Sequence, residues 1–141
     1  MKAQPSVEAV MNHAAEAPTS HSKPLVGAWF AEASSRHHDY LFPVLLTFTS
    51  DGIVFGNKPP SSFESMAHGN WVSTGHATTA FTFRVLFGSE DGSLSKSLKV
   101  MGTLRYDAKS DTIEGSWSVY RDAEKVVDQT NFHGARIVVE S

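Results

Sequence analysis

From Leu25 onward, apolar and polar residues alternate with a period of two, and clusters of Gly, Asp and Ser interrupt the alternation at short intervals. Such segments put successive side chains on opposite faces of a strand. Eight strands are predicted: Leu25 to Ser34, Phe42 to Thr49, Ile53 to Gly56, Ala67 to Ser73, Ala77 to Phe87, Leu94 to Tyr106, Thr112 to Tyr120 and Lys125 to Val139. Two of them have an unambiguous inside. In AFTFRVLF, Phe81, Phe83, Val85 and Phe87 share one face, opposite Thr82, Arg84 and Leu86. In SLKVMGTLRY, Leu98, Val100, Gly102 and Leu104 oppose Lys99, Met101, Thr103 and Arg105. The last strand is mixed, because Val127, Gln129, Asn131 and His133 alternate with Asp128, Thr130 and Phe132. That pattern predicts either a strand bordering a polar cavity or a bulge near Gly134.

The connectors carry turn chemistry: SDG at Ser50 to Gly52, TG at Thr74 to Gly75, GSEDG at Gly88 to Gly92, DAKSD at Asp107 to Asp111 and RDAE at Arg121 to Glu124. Short connectors between sequential strands make them antiparallel neighbours. Two joints are longer, Ser35 to Leu41 and Asn57 to Met66, and the Pro59-Pro60 pair in the second cannot sit in a central strand. Antiparallel strands in simple order leave two exposed edges unless the sheet closes on itself. The fold class expected is therefore all-β: an eight-stranded antiparallel up-and-down barrel, wide enough to fill with side chains or to hold one small ligand.

Residues 1–24 break the pattern. Val7, Val10, Met11 and Ala14 recur at helical spacing, and Pro5, Pro18 and Pro24 punctuate the segment. It is read as a short helix over Ser6 to Ala15 plus a linker, with the barrel domain over 25–141; a frayed tail is the alternative, since isolated helices this short are marginal in water. If helical, the segment is expected to cap the barrel's open end.

At 141 residues, 40% hydrophobic and 19% charged, the chain has the makings of one folded domain. A net charge of −3 with no Lys/Arg cluster argues against a nucleic-acid partner. Zero cysteines exclude disulfides and thiolate metal sites. Glu8, Asn12, His13 and Glu16 interrupt any signal-peptide core, and no apolar run approaches the roughly 20 residues of a membrane span. A cytoplasmic protein without a membrane partner is expected. A small hydrophobic molecule is the expected partner, and a homodimer is left open.

Two features carry a resemblance: Gly27-Ala28-Trp29, a G-x-W at the start of the first strand, and Arg136 in the last. With them the chain resembles a lipocalin-like, calycin-type barrel over about residues 25 to 139. The segments LLTFTSDGIV, AHGNW and GTLRYD are similar to those of short bacterial lipocalin-like proteins, most without an assigned function. The resemblance implies that Trp29 closes one end of the barrel with Arg136 packed across its ring, a contact of about 0.5–2 kcal/mol. The glycine-repeat motif of nitrobindin-type heme barrels does not follow Trp29, so no cofactor is expected.

For the site itself, AHGNWVSTG places His68 and Trp71 three residues apart, hence on opposite faces of a regular strand. Trp71 is either core packing or a ligand wall; His68 is either a hydrogen-bonded rim residue or a proton carrier near neutral pH. His133, with Asn131 and Gln129 at same-face spacing, either fixes a ligand's polar end or faces solvent. Tyr106 and Tyr120 at strand ends either donate a phenolic proton into the mouth or cover a core edge. His37-His38-Asp39 lacks H-x-H or H-x-x-x-H spacing, so no metal is expected.

The functional expectation is a barrel that binds a small, largely apolar molecule. Its lining would be Phe48, Trp71, Phe81, Phe83, Val85, Leu98, Val100, Leu104 and Trp117, with the ligand's polar end meeting His68, His133, Asn131 or Tyr120. The alternative is a cyclase, isomerase or dehydratase using the same cavity, with His68, His133 or Tyr120 as acid or base. A barrel filled by its own side chains, serving structure or interaction, is the third reading.

Overall fold

A computed structural model describes residues 23–35, 41–59 and 63–140. The expected N-terminal helix and His37-His38-Asp39 lie outside these residues. A single 3-10 turn, Lys23–Leu25, leads into β1 (Gly27–Ser35), followed by β2 (Phe42–Phe48), β3 (Ile53–Asn57), β4 (Ala67–Gly75), β5 (Thr78–Gly88), β6 (Leu94–Asp107), β7 (Thr112–Arg121) and β8 (Glu124–Arg136). Each strand pairs antiparallel with the next, and β8 pairs back onto β1, closing the barrel. Every strand edge is thereby satisfied. No helix among the described residues is long and apolar enough to cross a membrane.

The turns fall where the sequence has residues that tolerate a left-handed backbone. Gly52 and Gly92 have φ of 94° and 89°, and Asp111 and Asp122 have φ of 55° and 57°. The β4–β5 turn departs from expectation. It uses His76-Ala77 rather than Thr74-Gly75, because β4 runs on to Gly75, and it leaves Ala77 at φ 68°.

Period-two alternation sends one set of side chains inward on every strand. Trp29, Leu46, Phe48 and Val54 are fully buried at one end of the barrel. Around them Phe48 meets Trp71 edge-on at 6.0 Å and Phe81 at 6.4 Å, and Phe81 meets Phe132 at 6.2 Å. Edge-on aromatic packing of this kind contributes about 0.5–1.5 kcal/mol per pair beyond area burial. At Gly69 and Gly115, inward positions of β4 and β7, any Cβ would collide with the carbonyls of Thr82 and Thr103 on the neighbouring strands. Both sites need glycine for the sheet to bend this tightly.

The mixed faces of the last strand have a different origin from the two predicted. Opposite β7, β8 carries an extra residue between Lys125 and Val127 and another between Val127 and Thr130. Val127 faces in; past the second insertion Thr130 and Phe132 face in as well, so the inward set switches from odd to even numbers. The bulges therefore lie at residues 126 and 128–129, not near Gly134. The Asp128 carbonyl freed by the second accepts from the Ser118 hydroxyl. The strand also ends at Arg136 rather than Val139. Beyond Ile137, whose N–H bonds the Ala28 carbonyl at 2.9 Å, β1 offers no further partner, and Val138 and Val139 are exposed.

Candidate functional site

The two ends of the barrel differ. At one, the Arg136 guanidinium lies 4.4 Å from the centre of the Trp29 ring. Its Nε and Nη2 donate to both oxygens of Asp111, at 2.9 and 3.1 Å. Nη1 donates to the Val26 carbonyl at 2.8 Å, and Nη2 also reaches the Pro24 carbonyl. Gly27 makes room for this: its φ is +136°, and a Cβ there would sit 2.7 Å from Nη1. Trp29 Nε1 donates to the Leu25 carbonyl at 2.9 Å, and Tyr106 donates its hydroxyl to Asp111 at 2.8 Å. The Arg136 and Tyr106 hydrogen bonds hold Asp111 below the usual carboxylate range. Tyr106 is pushed above the ordinary phenol value, first by burial and then by Asp111. Arg136 and Trp29 thus form the plug expected of them.

At the opposite end the interior opens into a cavity of about 320 Å³, near the lower bound of the roughly 300–1,000 Å³ typical of ligand pockets. Its walls are mostly apolar: Phe42, Val44, Phe83, Val85, Leu98, Val100, Trp117, Val119 and Val127. Thr130, itself buried, adds one hydroxyl to the wall. The mouth is polar, with Ser35, Asn57, Lys58, Glu64 and Ser65. Lys58 and Glu64 form an ion pair at 3.1 Å; the Glu64 side chain is only 6% exposed, against 44% for Lys58. The segment carrying Glu64 is pinned to the end of β5. Ser65 N–H donates to the Leu86 carbonyl and Gly88 N–H to the Phe63 carbonyl, both at 2.8 Å, and Glu64 itself bridges Phe87.

The expected lining divides in two. Phe83, Val85, Leu98, Val100 and Trp117 do face the cavity. Phe48, Trp71, Phe81 and Leu104 face inward as well, but they are buried outside the cavity lining, in the packed core toward the plug. Trp71 is core, its Nε1 donating to the Thr49 carbonyl at 3.0 Å.

The expected polar contacts are placed differently. His68, between inward Ala67 and Gly69, is exposed and packs edge-on against Phe55 at 5.2 Å. His133 is exposed on the outer face of β8, in register with Glu32 of β1 and Glu114 of β7. Asn131 is exposed too, accepting from Gln129 Nε2 at 2.8 Å. Tyr120 sits outside between Lys99 and Lys125, whose ammonium nitrogens lie 5.6 and 5.8 Å from its ring centre. The strand parity that buries their neighbours turns all four away from the cavity. Among the described residues no three His, Asp or Glu side chains come together to hold a metal ion.

Sequence reasoning missed the mouth. Lys58 and Glu64 lie in the longer joint between β3 and β4, where no periodicity reports direction; the one available signal was that this joint is long and polar. No protein-family model matches the chain, and no curated protein does.

Proposed function

We propose that the barrel is lipocalin-like and that it holds a small, largely apolar molecule in the cavity at its open end. The observation carrying this reading is the 320 Å³ space itself, walled by Phe83, Val85, Val100 and Trp117. Phe48, Trp71 and Phe81 pack the opposite half, so interior volume has been kept free at one end only. Enclosing about 200 Å² of ligand surface supplies on the order of 5 kcal/mol before the costs of association. The Trp29–Arg136 plug supports the lipocalin likeness. Binding is preferred to turnover because His68, His133 and Tyr120 stand on the outer surface, out of reach of anything inside.

The test is saturable binding of an apolar fluorophore, compared between the native chain and Val100→Phe, which pushes a ring into the cavity. The native chain should bind the dye, and the variant should keep its far-ultraviolet circular dichroism while losing binding. A native chain that takes up no dye, or a folded variant that binds equally well, overturns the proposal.

A further inference from the structure

The fold treats its three indole N–H groups differently. Trp29 and Trp71 each donate to a backbone carbonyl, at 2.9 and 3.0 Å. Trp117 is only 8% exposed, yet its N–H meets no hydrogen-bond acceptor among the described residues. Its cross-strand partner on β8 is Thr130, 3% exposed, whose hydroxyl is likewise without a partner among them. Thr130 faces inward because of the bulge at 128–129; regular alternation from Val127 would have sent Gln129 in instead. Among the described residues no side-chain nitrogen or oxygen is both sealed off and unpaired. The Trp117 nitrogen and the Thr130 oxygen therefore keep accessible surface, and on two inward-facing residues of the cavity wall that surface borders the cavity. Cross-strand partners hold their Cβ atoms about 4.5–5.5 Å apart, so both groups edge the same part of the space.

Resting on the reading of the cavity as a ligand site, we infer that its ligand is a neutral molecule whose apolar body carries a carbonyl oxygen, which accepts from the Trp117 N–H and the Thr130 O–H together. The indole can only donate, the hydroxyl has one proton to give, and a carbonyl oxygen offers two lone pairs and no proton of its own. A hydrocarbon in the same space would strip water from both donors and return nothing, which costs more than such a bond is worth when made. An alcohol could accept from Trp117 and donate to Thr130, but the threonine proton would then lack an acceptor. An ionised carboxylate accepts twice as well, yet two neutral donors in an apolar wall do not offset the loss of its hydration.

The experiment is displacement of the apolar fluorophore from the full chain by benzylacetone and by isopentylbenzene, which matches it in shape with a methyl in place of the oxygen. Thr130→Val, which exchanges the hydroxyl for a methyl, should weaken benzylacetone about fivefold or more and hold isopentylbenzene within about twofold of its native affinity. Thr130→Ser should restore most of the benzylacetone affinity. The infrared carbonyl stretch of bound benzylacetone gives a second reading that begins with the native chain. There it should lie below its position in hexane, with part of that shift lost in Thr130→Val and part in Trp117→Phe. A stretch at the hexane position in the native chain, or one that either substitution leaves unmoved, overturns the inference. So does a Thr130→Val variant that weakens both compounds alike. With isopentylbenzene still displacing the dye from the native chain, any of these results leaves the cavity reading standing, whereas failure of both compounds to displace it removes both.

Discussion

Arg136 and Gly27 share one small space: the guanidinium Nη1 lies 2.7 Å from where a Cβ on residue 27 would stand. From there Arg136 covers Trp29, grips Asp111 and ties Val26 and Pro24 to the barrel end. Arg136→Met is expected to destabilise by about 1–3 kcal/mol, because it leaves Asp111 with the Tyr106 hydroxyl but without its two guanidinium bonds, and removes the cation over the indole. Gly27→Ala should cost about 1–3 kcal/mol, through both the positive φ and the displaced guanidinium. Since the second part vanishes once Arg136 is gone, the double variant should lose at least about 1 kcal/mol less than the sum. Urea denaturation of the four proteins measures this. Strict additivity would mean that glycine is needed for its φ alone.

The same cluster sets a pH signature. Asp111, its carboxyl held low by Arg136 and then Tyr106, contributes stability that is present above the unfolded carboxylate value and is lost as pH falls through its lower folded value. Tyr106 runs the other way: burial and Asp111 raise its phenol, so its contribution is full below the unfolded value and is lost as pH climbs through the folded one. Asp111→Asn should therefore flatten the acid limb of a stability-versus-pH curve, and Tyr106→Phe the alkaline limb. Denaturant midpoints from acid to strongly alkaline pH check both, and an acid limb unchanged in Asp111→Asn refutes the first assignment.

Closure of the barrel was legible in the sequence because it rests on period-two patterning and short turns, both local. The floor was legible for a related reason, as Trp29 and Arg136 lie at the start of the first strand and the end of the last, which closure brings together. Direction along β8 was harder to read. Two inserted residues change which parity faces inward, and alternation says nothing of where a bulge falls until the partner strand is known. His133 and Asn131 thus stood in the sequence as equal candidates for inside and outside, while Thr130, the residue that reaches the cavity, looked like their polar counterpart on the other face. Glu64 was invisible for want of any period at all.

Ala77 holds a φ of 68° in the β4–β5 turn with no side-chain group to compensate, unlike Asp111 and Asp122 at the same kind of position. The left-handed region costs an L-residue about 1–2 kcal/mol. Glycine there removes that cost and gives back about 0.4–1 kcal/mol through the greater freedom of the unfolded chain. Ala77→Gly is expected to stabilise by roughly 0.5 kcal/mol net. A raised urea midpoint at unchanged slope reports it, and a lowered midpoint would show that the turn carries no such strain.

Three tryptophans give the protein an internal readout, because only one of them lines the cavity. Trp29 sits under Arg136 and donates to the Leu25 carbonyl, and Trp71 lies in the packed core, donating to the Thr49 carbonyl. Trp117 is in the cavity wall with Phe132 tilted against it at 5.1 Å. A molecule entering the cavity changes what Trp117 touches and leaves the surroundings of the other two as they are. Phenylbutanol should therefore shift or quench the intrinsic fluorescence of the native chain, and Trp117→Phe should abolish that change while calorimetry still detects binding. Trp71→Phe should keep the signal, at a core cost measurable by denaturation. A fluorescence response that survives in Trp117→Phe would place the ligand somewhere other than this end of the barrel.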